Sequence, residues 1–341
     1  KASGTGAAAG ATCPAESVQI SKGGTLTFTS AANTVSQLAY TGNLRVFSSA
    51  ELDIGKCASR DYAGCTTFIP STSRATLLMT SVGANNASLT VASGGVLNAF
   101  GSNVPALTLD YLAADVANGA TTITTANPTG WLSGDVIAIA STSRTRTDSE
   151  SKALSGDCSG TSCPIAALAA PATTSMCATT CAANNCNHCG TVPTRAEIAR
   201  LTRNVVMRGT DLTHRGAITT QAGGQAVFRY VEAEWITWLQ MVGSTCATTP
   251  CGDFQYSSLH DAQGGLDFNG NNIIVAYSIL YNVNIAGYFC SNITGYNFIN
   301  TGTAITFSNN YVILAGAGNG ICNYSATAIT ISDSSFSGCQ Q

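Results

Sequence analysis

Chemistry in this chain would have to come from few groups. There are three histidines among 341 residues, and one of them, His260, lies in a stretch that also carries Asp253, Asp261 and Asp267. A His–Asp pair on a strand face can act as an acid/base couple, and a glycosidase needs two carboxylates about 5–10 Å apart. These four residues are the catalytic candidates, against the plainer reading of turn-capping aspartates beside a surface imidazole. Glu232 and Glu234 share a strand face by alternation and read as a solvated face. His188 and His214 stand in a loop and at a strand end, with no nucleophile beside either. Residues 231–341 contain no Lys or Arg, the last being Arg229, so that stretch has no cation of its own to neutralise a uronate, as a lyase must. No Gly-x-Ser-x-Gly elbow or phosphate loop is present. Tyr230, Trp235 and Trp238 offer an aromatic platform for sugar rings, although core packing is the commoner fate of such residues.

The elements that must position these groups are short and repetitive. From Gln225 to Cys339 the text falls into pieces that open on an apolar alternation and close on Gly or Asn, among them Ala226–Val231, Asn272–Val275, Asn310–Leu314 and Thr327–Ile331. Starts at Asn272, Asn292, Asn310 and Thr327 are spaced by 20, 18 and 17 residues. A loose period near twenty, without a helical pattern, predicts a coiling parallel β-solenoid in which each turn buries its apolar row on the next. The Asn clusters at Asn269, Asn271 and Asn272, and at Asn309 and Asn310, then read as stacked side chains that satisfy turn backbone groups.

Composition narrows the classes. Charged residues are 10% of the chain and the formal charge is −3, which points away from nucleic acid and from an electrostatic membrane partner. No apolar run reaches the ~18 to 20 residues of a membrane span. Fourteen cysteines, Cys13, Cys57, Cys65, Cys158, Cys163, Cys177, Cys181, Cys186, Cys189, Cys246, Cys251, Cys290, Cys322 and Cys339, suit a disulfide framework in an oxidising compartment, with connectivity open. Most fall in close pairs, such as Cys158/Cys163, Cys177/Cys181 and Cys186/Cys189. The rival is a zinc knuckle at Cys177, Cys181, Cys186 and Cys189 beside His188; disulfides are favoured, with no metal and no cofactor expected. Acceptor sequons at Asn86, Asn292 and Asn323 add N-glycosylation and secretion.

Along the chain, residues 1–15 read as an extended arm and 16–148 as an N-terminal β-solenoid. Residues 149–193 read as a Cys-rich, disulfide-stapled loop insertion, and 194–341 as the C-terminal parallel β-helix. Trp131 reads as packed inside. The segments "TTITTANPTGWLSGDVIAIAST" and "AEIARLTRNVVMRGTDLTHRGA" resemble secreted and cell-surface proteins in which a G-eight domain precedes a right-handed parallel β-helix, the cell-migration-inducing hyaluronidase and fibrocystin-like receptors among them. The resemblance covers about 16–330 and implies an all-β, extracellular coil that handles or displays carbohydrate. The hyaluronan-degrading members carry a His-x-His step, and its match here, Gly264 to Asn269, has Asp267 and Asn269 in place of the histidines. That argues against hyaluronidase activity.

Two functions follow from the residues. One is a secreted, glycosylated structural β-helix of a surface, matrix or appendage that self-assembles into a filament with copies of itself through its coil ends or N-terminal arm. The alternative is an extracellular polysaccharide-binding or polysaccharide-hydrolysing β-helix, with glycans as partners.

Overall fold

The computed structural model describes residues 16–21, 23–28, 31–57, 67–81, 87–143, 145–170, 177, 186–191, 194–241, 252–268, 273–283, 298–300, 305–313, 322–323 and 329–337. Among them the chain is all-β, with a single 3-10 turn at Arg146–Asp148, and no helix is long and apolar enough to cross a membrane. Three eight-stranded parallel sheets wrap one core, which is the expected parallel β-helix. Each turn of the coil gives one strand to each sheet. One turn supplies Gly216–Thr220, Gln225–Arg229 and Val231–Glu234, and the next supplies Ile236–Met241, Gly252–Gln255 and Ser258–His260. The sheets are called first, second and third in that order. Register is one residue to one residue: Phe228 pairs with Phe254, Phe254 with Val275, and Val275 with Phe307. All four are fully buried, so like residues stack along the axis, each worth about 1.5–3 kcal/mol of burial. Strand alternation sends Val231 and Ala233 into this core and their neighbours Glu232 and Glu234 to the outer face.

The corners between sheets are single residues in the left-handed region. Tyr230, Tyr256, Tyr277, Asn309 and Asp333 turn the second sheet into the third, and Trp235, Asp261 and Asn282 turn the third into the first, all with φ between 47° and 55°. Such a backbone costs a non-glycine residue about 1–2 kcal/mol. Stacking offsets the cost: the Tyr256 N–H donates to the Ala276 carbonyl of the next turn at 3.0 Å, and the Asp261 N–H to that of Tyr281 at 3.2 Å. The rings of Tyr230, Tyr256 and Tyr277 lie parallel with centroids 4.9 Å apart, an offset worth about 0.5–1.5 kcal/mol per pair. One residue further on, an inward polar ladder caps backbone amides. Asn310 Oδ1 accepts from the Ser278 N–H at 2.9 Å and Ser278 Oγ from that of Ser257 at 3.2 Å. Asn310 satisfies a turn amide as expected, but its ladder neighbours are Ser278 and Ser334 and Asn309 is a corner residue, so the ladder there is not an asparagine stack. Asn269, Asn271 and Asn272 lie outside the described residues.

Strand pairing divides the chain elsewhere than at 148/149 and 193/194. The coil begins within 16–100, and its third turn is interrupted after Val96–Phe100 and resumes at Val205–Arg208. Between them lies an antiparallel unit. Its main sheet runs Glu150–Ala153, Val136–Ile139, Glu197–Arg200, Leu109–Tyr111, around a core of Trp131, Ile137, Ile139, Leu154 and Ile165. The text from Leu109 to Ile139, expected to continue the solenoid, belongs to this unit. Apolar alternation reports one buried face and is the same for parallel and antiparallel strands. Described parts of 149–193 are strands of the unit, not a loop alone. Cys158 joins Cys163 and Cys177 joins Cys189; Cys57 and Cys186 are disulfide-bonded too. Cys177 therefore bridges across to Cys189 and not to its neighbour Cys181. Neither sulfur is a thiolate for a zinc knuckle. Cys13, Cys65, Cys181, Cys246, Cys251, Cys290 and Cys339 lie outside the described residues, as do Asn86 and Asn292.

The two parts meet at the third sheet. Val136–Ile139 is apolar on both sides: Ile137 and Ile139 face their own core, while Ala138 and Ala140, with Ala199 and Leu201, pack on Ile279, Tyr281, Tyr311 and Ile313 of the coil. Small side chains let the inserted sheet sit close. It roofs much of the outer face of the third sheet.

Candidate functional site

On that roofed face, Arg208, Glu234, His260 and Tyr281 stand in one cross-strand row, each in register with the next. Glu232 is two residues before Glu234 on the same side. Exposure is 7% for Glu232, 8% for Glu234 and 5% for His260, so the predicted solvated face is in fact buried. Each charge is paired. His260 Nε2 meets Glu232 Oε1 at 3.2 Å and Nδ1 meets Asp261 Oδ2 at 2.9 Å. With a carboxylate oxygen on each ring nitrogen, both nitrogens donate, and the ring is an imidazolium. Burial pushes its pKa down, but Asp261 and Glu232 outweigh that and raise it to about 10. Burial likewise works against the charges of Glu232 and Asp261, yet His260 holds both carboxyls below their ordinary values. Glu234 goes the other way, raised by burial and then by Glu232, although Arg208 Nη1 donates to its Oε1 at 2.8 Å.

The backbone fixes these partners. The Arg203 N–H donates to Glu232 Oε2 at 2.8 Å, and Asn282 Nδ2 to Asp261 Oδ1 at 2.6 Å. Asp261 and Asn282 are successive corner residues, so the turn geometry itself delivers this bond. At the neighbouring corner Arg208 lies over the Trp235 ring at 4.6 Å. Gly209 beneath it has no room for a side chain, since a Cβ would meet the Trp235 carbonyl oxygen at 2.4 Å.

Of the four catalytic candidates, the structure brings together His260 and Asp261 only. Asp253 is on the second sheet, 1% exposed and ion-paired with Arg229. Asp267 is on the first sheet, where Gln240 Nε2 donates to it at 2.6 Å, and burial raises its pKa. Adjoining turns made convergence a natural expectation, but each turn visits three faces, and the candidates fall on different ones. Glu232 is what the sequence reading missed. Its period-two relation to Glu234 was visible, and its place one strand below His260 required the register.

Cations are present despite the missing Lys and Arg after Arg229. Stacking carries Arg208 onto Glu234 and Arg229 onto Asp253, while the Arg203 guanidinium is held by the carbonyls of Arg200, Thr202 and Tyr256. In the insert, Arg200 grips Asp135 through Nε and Nη2 at 2.7 and 3.0 Å. His188, buried, bridges the Ala140 carbonyl at 2.9 Å and Glu150 at 3.0 Å, a structural link within the unit.

The first sheet is different in character. Trp238 is 41% exposed at a bulge opposite Ala217, and two residues on, Gln240 shares its outer side with Asp267 of the next turn. Ring, amide and carboxyl lie along one face.

No family model and no curated protein matches the chain, so the likeness to G-eight proteins rests on its sequence motifs. Among solved structures, the chain is similar to the gp54 tailspike of Acinetobacter baumannii bacteriophage AP22, solved with A. baumannii capsular saccharide. Identity is 10% and the TM-score 0.26, over 86% of this chain and 41% of that one. It is also similar to the gp49 tailspike of Pseudomonas phage LKA1, at 12% identity and TM-score 0.22, over 93% and 49%. A third is the Pseudomonas phage phi297 tailspike gp61, at 11% and 0.23, over 73% and 57%. The chain spans roughly half the length of these proteins. Similarity at this level carries no argument about activity.

Proposed function

We propose that this chain is an extracellular polysaccharide-binding β-helix, with the outer face of the first sheet as its glycan surface. The observation that supports it is the placement of exposed Trp238 beside the Gln240–Asp267 pair. An exposed indole stacks on the apolar face of a pyranose, and an adjacent amide and carboxyl answer its hydroxyls with donors and acceptors. Binding is favoured over hydrolysis because Asp253, Asp261 and Asp267 are spread over separate faces and form no flanking pair. Secretion fits the disulfides and the sequon at Asn323. The test is affinity electrophoresis of the full chain through a panel of neutral and acidic polysaccharides. At least one polymer retards the protein, and Trp238→Ala weakens that retardation by a few-fold to about tenfold, the range of a lost aromatic contact. Retardation by none of them removes the reading.

Self-association through the coil end is a second reading, supported by one edge. Strand Val35–Thr41 pairs on one side only among the described residues. Val35 is 83% exposed, and a recess of about 240 Å³ beside it is lined by Leu26, Phe28 and Leu38. Unpaired edges of this length template strand addition. Sedimentation that stays monomeric over a wide concentration range, unchanged by Leu38→Lys, rules it out.

A further inference from the structure

We propose that Glu232, Glu234 and His260 form a binding site for a divalent metal ion of the zinc class, roofed by the inserted unit. Each residue brings a ligand atom within 4.8 Å of the other two, and all three are more than nine-tenths buried. The atoms divide cleanly between holding and facing inward. Glu232 has one oxygen on the Arg203 N–H, at 2.8 Å, which leaves Oε1 on the shared space. Glu234 is held by Arg208, at 2.8 Å, and brings a carboxylate oxygen to the shared space. His260 has Nδ1 on Asp261, at 2.9 Å, and Asp261 is itself held by Asn282. A carboxylate on the far nitrogen of a histidine is the usual second partner of a metal-ligating imidazole, since it fixes the ring and strengthens Nε2 as a donor.

The donor set indicates what would be bound. One imidazole nitrogen with two carboxylate oxygens suits Zn²⁺ and neighbouring first-row ions; Ca²⁺ takes six to eight oxygens, which three such residues do not provide. The ion takes the position that the Nε2 proton holds in the ion pair with Glu232, and that proton leaves to solvent. Ligands on adjacent paired strands are fixed by register, which gives the site its rigidity. The other cluster of similar make-up, Asp115 with Cys177 and Cys189, is disqualified because its two sulfurs are bonded to each other.

The experiment uses the full chain, stripped with a chelator and titrated with Zn²⁺ and Co²⁺ by calorimetry, visible absorption and thermal melting. One equivalent binds, Co²⁺ develops ligand-field bands, and Zn²⁺ raises the melting temperature. Glu234→Gln and His260→Gln each weaken binding at least tenfold, and Asp261→Asn weakens it by about 10- to 100-fold. Because a variant in a buried cluster can unfold, the wild-type titration decides by itself. No saturable binding up to about 1 mM of either ion, the millimolar limit of weak association, overturns the proposal. So does one-to-one binding that persists undiminished in folded Glu234→Gln and His260→Gln, which would put the ion elsewhere.

Discussion

The outer faces of the first and third sheets come from the same repeat, carry the same kinds of residue and meet opposite fates. On the third, Glu232, Glu234 and His260 are sealed under the inserted sheet and locked into ion pairs with Arg208 and Asp261. On the first, Trp238 stays in solvent beside Gln240 and Asp267. The lesson is that the coil sets direction and spacing, and cover sets chemistry. A carboxylate under a roof must have a partner, whereas one on an open face is available to a ligand.

The contrast is most exposed to failure at His260. Removing one member of a buried ion pair strands the others, so His260→Ala costs about 3–5 kcal/mol in denaturant unfolding. Asp267→Asn on the first sheet costs about 0.5 kcal/mol or less; equal losses would erase the distinction. Overfilling the roof contact comes next. Ala138→Leu, facing Ile279 and Tyr281, costs about 1–3 kcal/mol, and hydrogen exchange of the Ile279–Tyr281 amides accelerates, while that of the first sheet does not.

The pH dependence should carry the same signature. The pKa of His260 is raised in the folded chain, so its contribution is full below the ordinary value of 6.5 and is lost as pH climbs through about 10. Glu232 and Asp261 are depressed, so theirs is full above the ordinary 4.5 and 3.8 and is lost as pH falls through their lower folded values. The contribution of these three groups therefore peaks between about 4.5 and 6.5. Glu234, raised by burial, works against it as pH climbs, and His260→Gln flattens the alkaline limb measured by thermal melting. The smallest effect is expected at Trp238→Ala. It leaves stability within about 0.5 kcal/mol and acts on glycan retention alone; a large loss of stability would make Trp238 a covered core residue.

Much of the coil was legible because its strands write their alternation into the text. The period itself was misjudged: Gly252 pairs with Ile273, Ile273 with Ile305 and Ile305 with Ile329, so successive turns span 21, 32 and 24 residues, and the starts near Ile273 and Tyr311 belong to different sheets. The inward row through Phe254, Val275 and Phe307 follows from alternation. Trp131 sits in a core as its strand-entry setting implied, but that core is the insert's own. The site was less legible. His260 and Asp261 are neighbours in sequence and stayed neighbours in space, whereas Asp253 and Asp267 were separated by corners at Tyr256 and Asp261 that no local pattern marks. Tyr, Trp and Asp are not the residues from which a left-handed turn is read; the stack of identical corners above and below holds them there.

By itself, then, the sequence determined an all-β chain whose repeated short apolar rows must be buried against neighbouring strands. It also determined that Glu232 and Glu234 would share a face. Only the tertiary structure decided what that face would be. Its roof is built by the described strands between Leu109 and Arg200, which pack on their own core before the interrupted turn resumes at Val205. Burial depends on contacts between segments far apart in the chain, so the same Glu-x-Glu alternation is compatible with a solvated edge and with a sealed ion cluster.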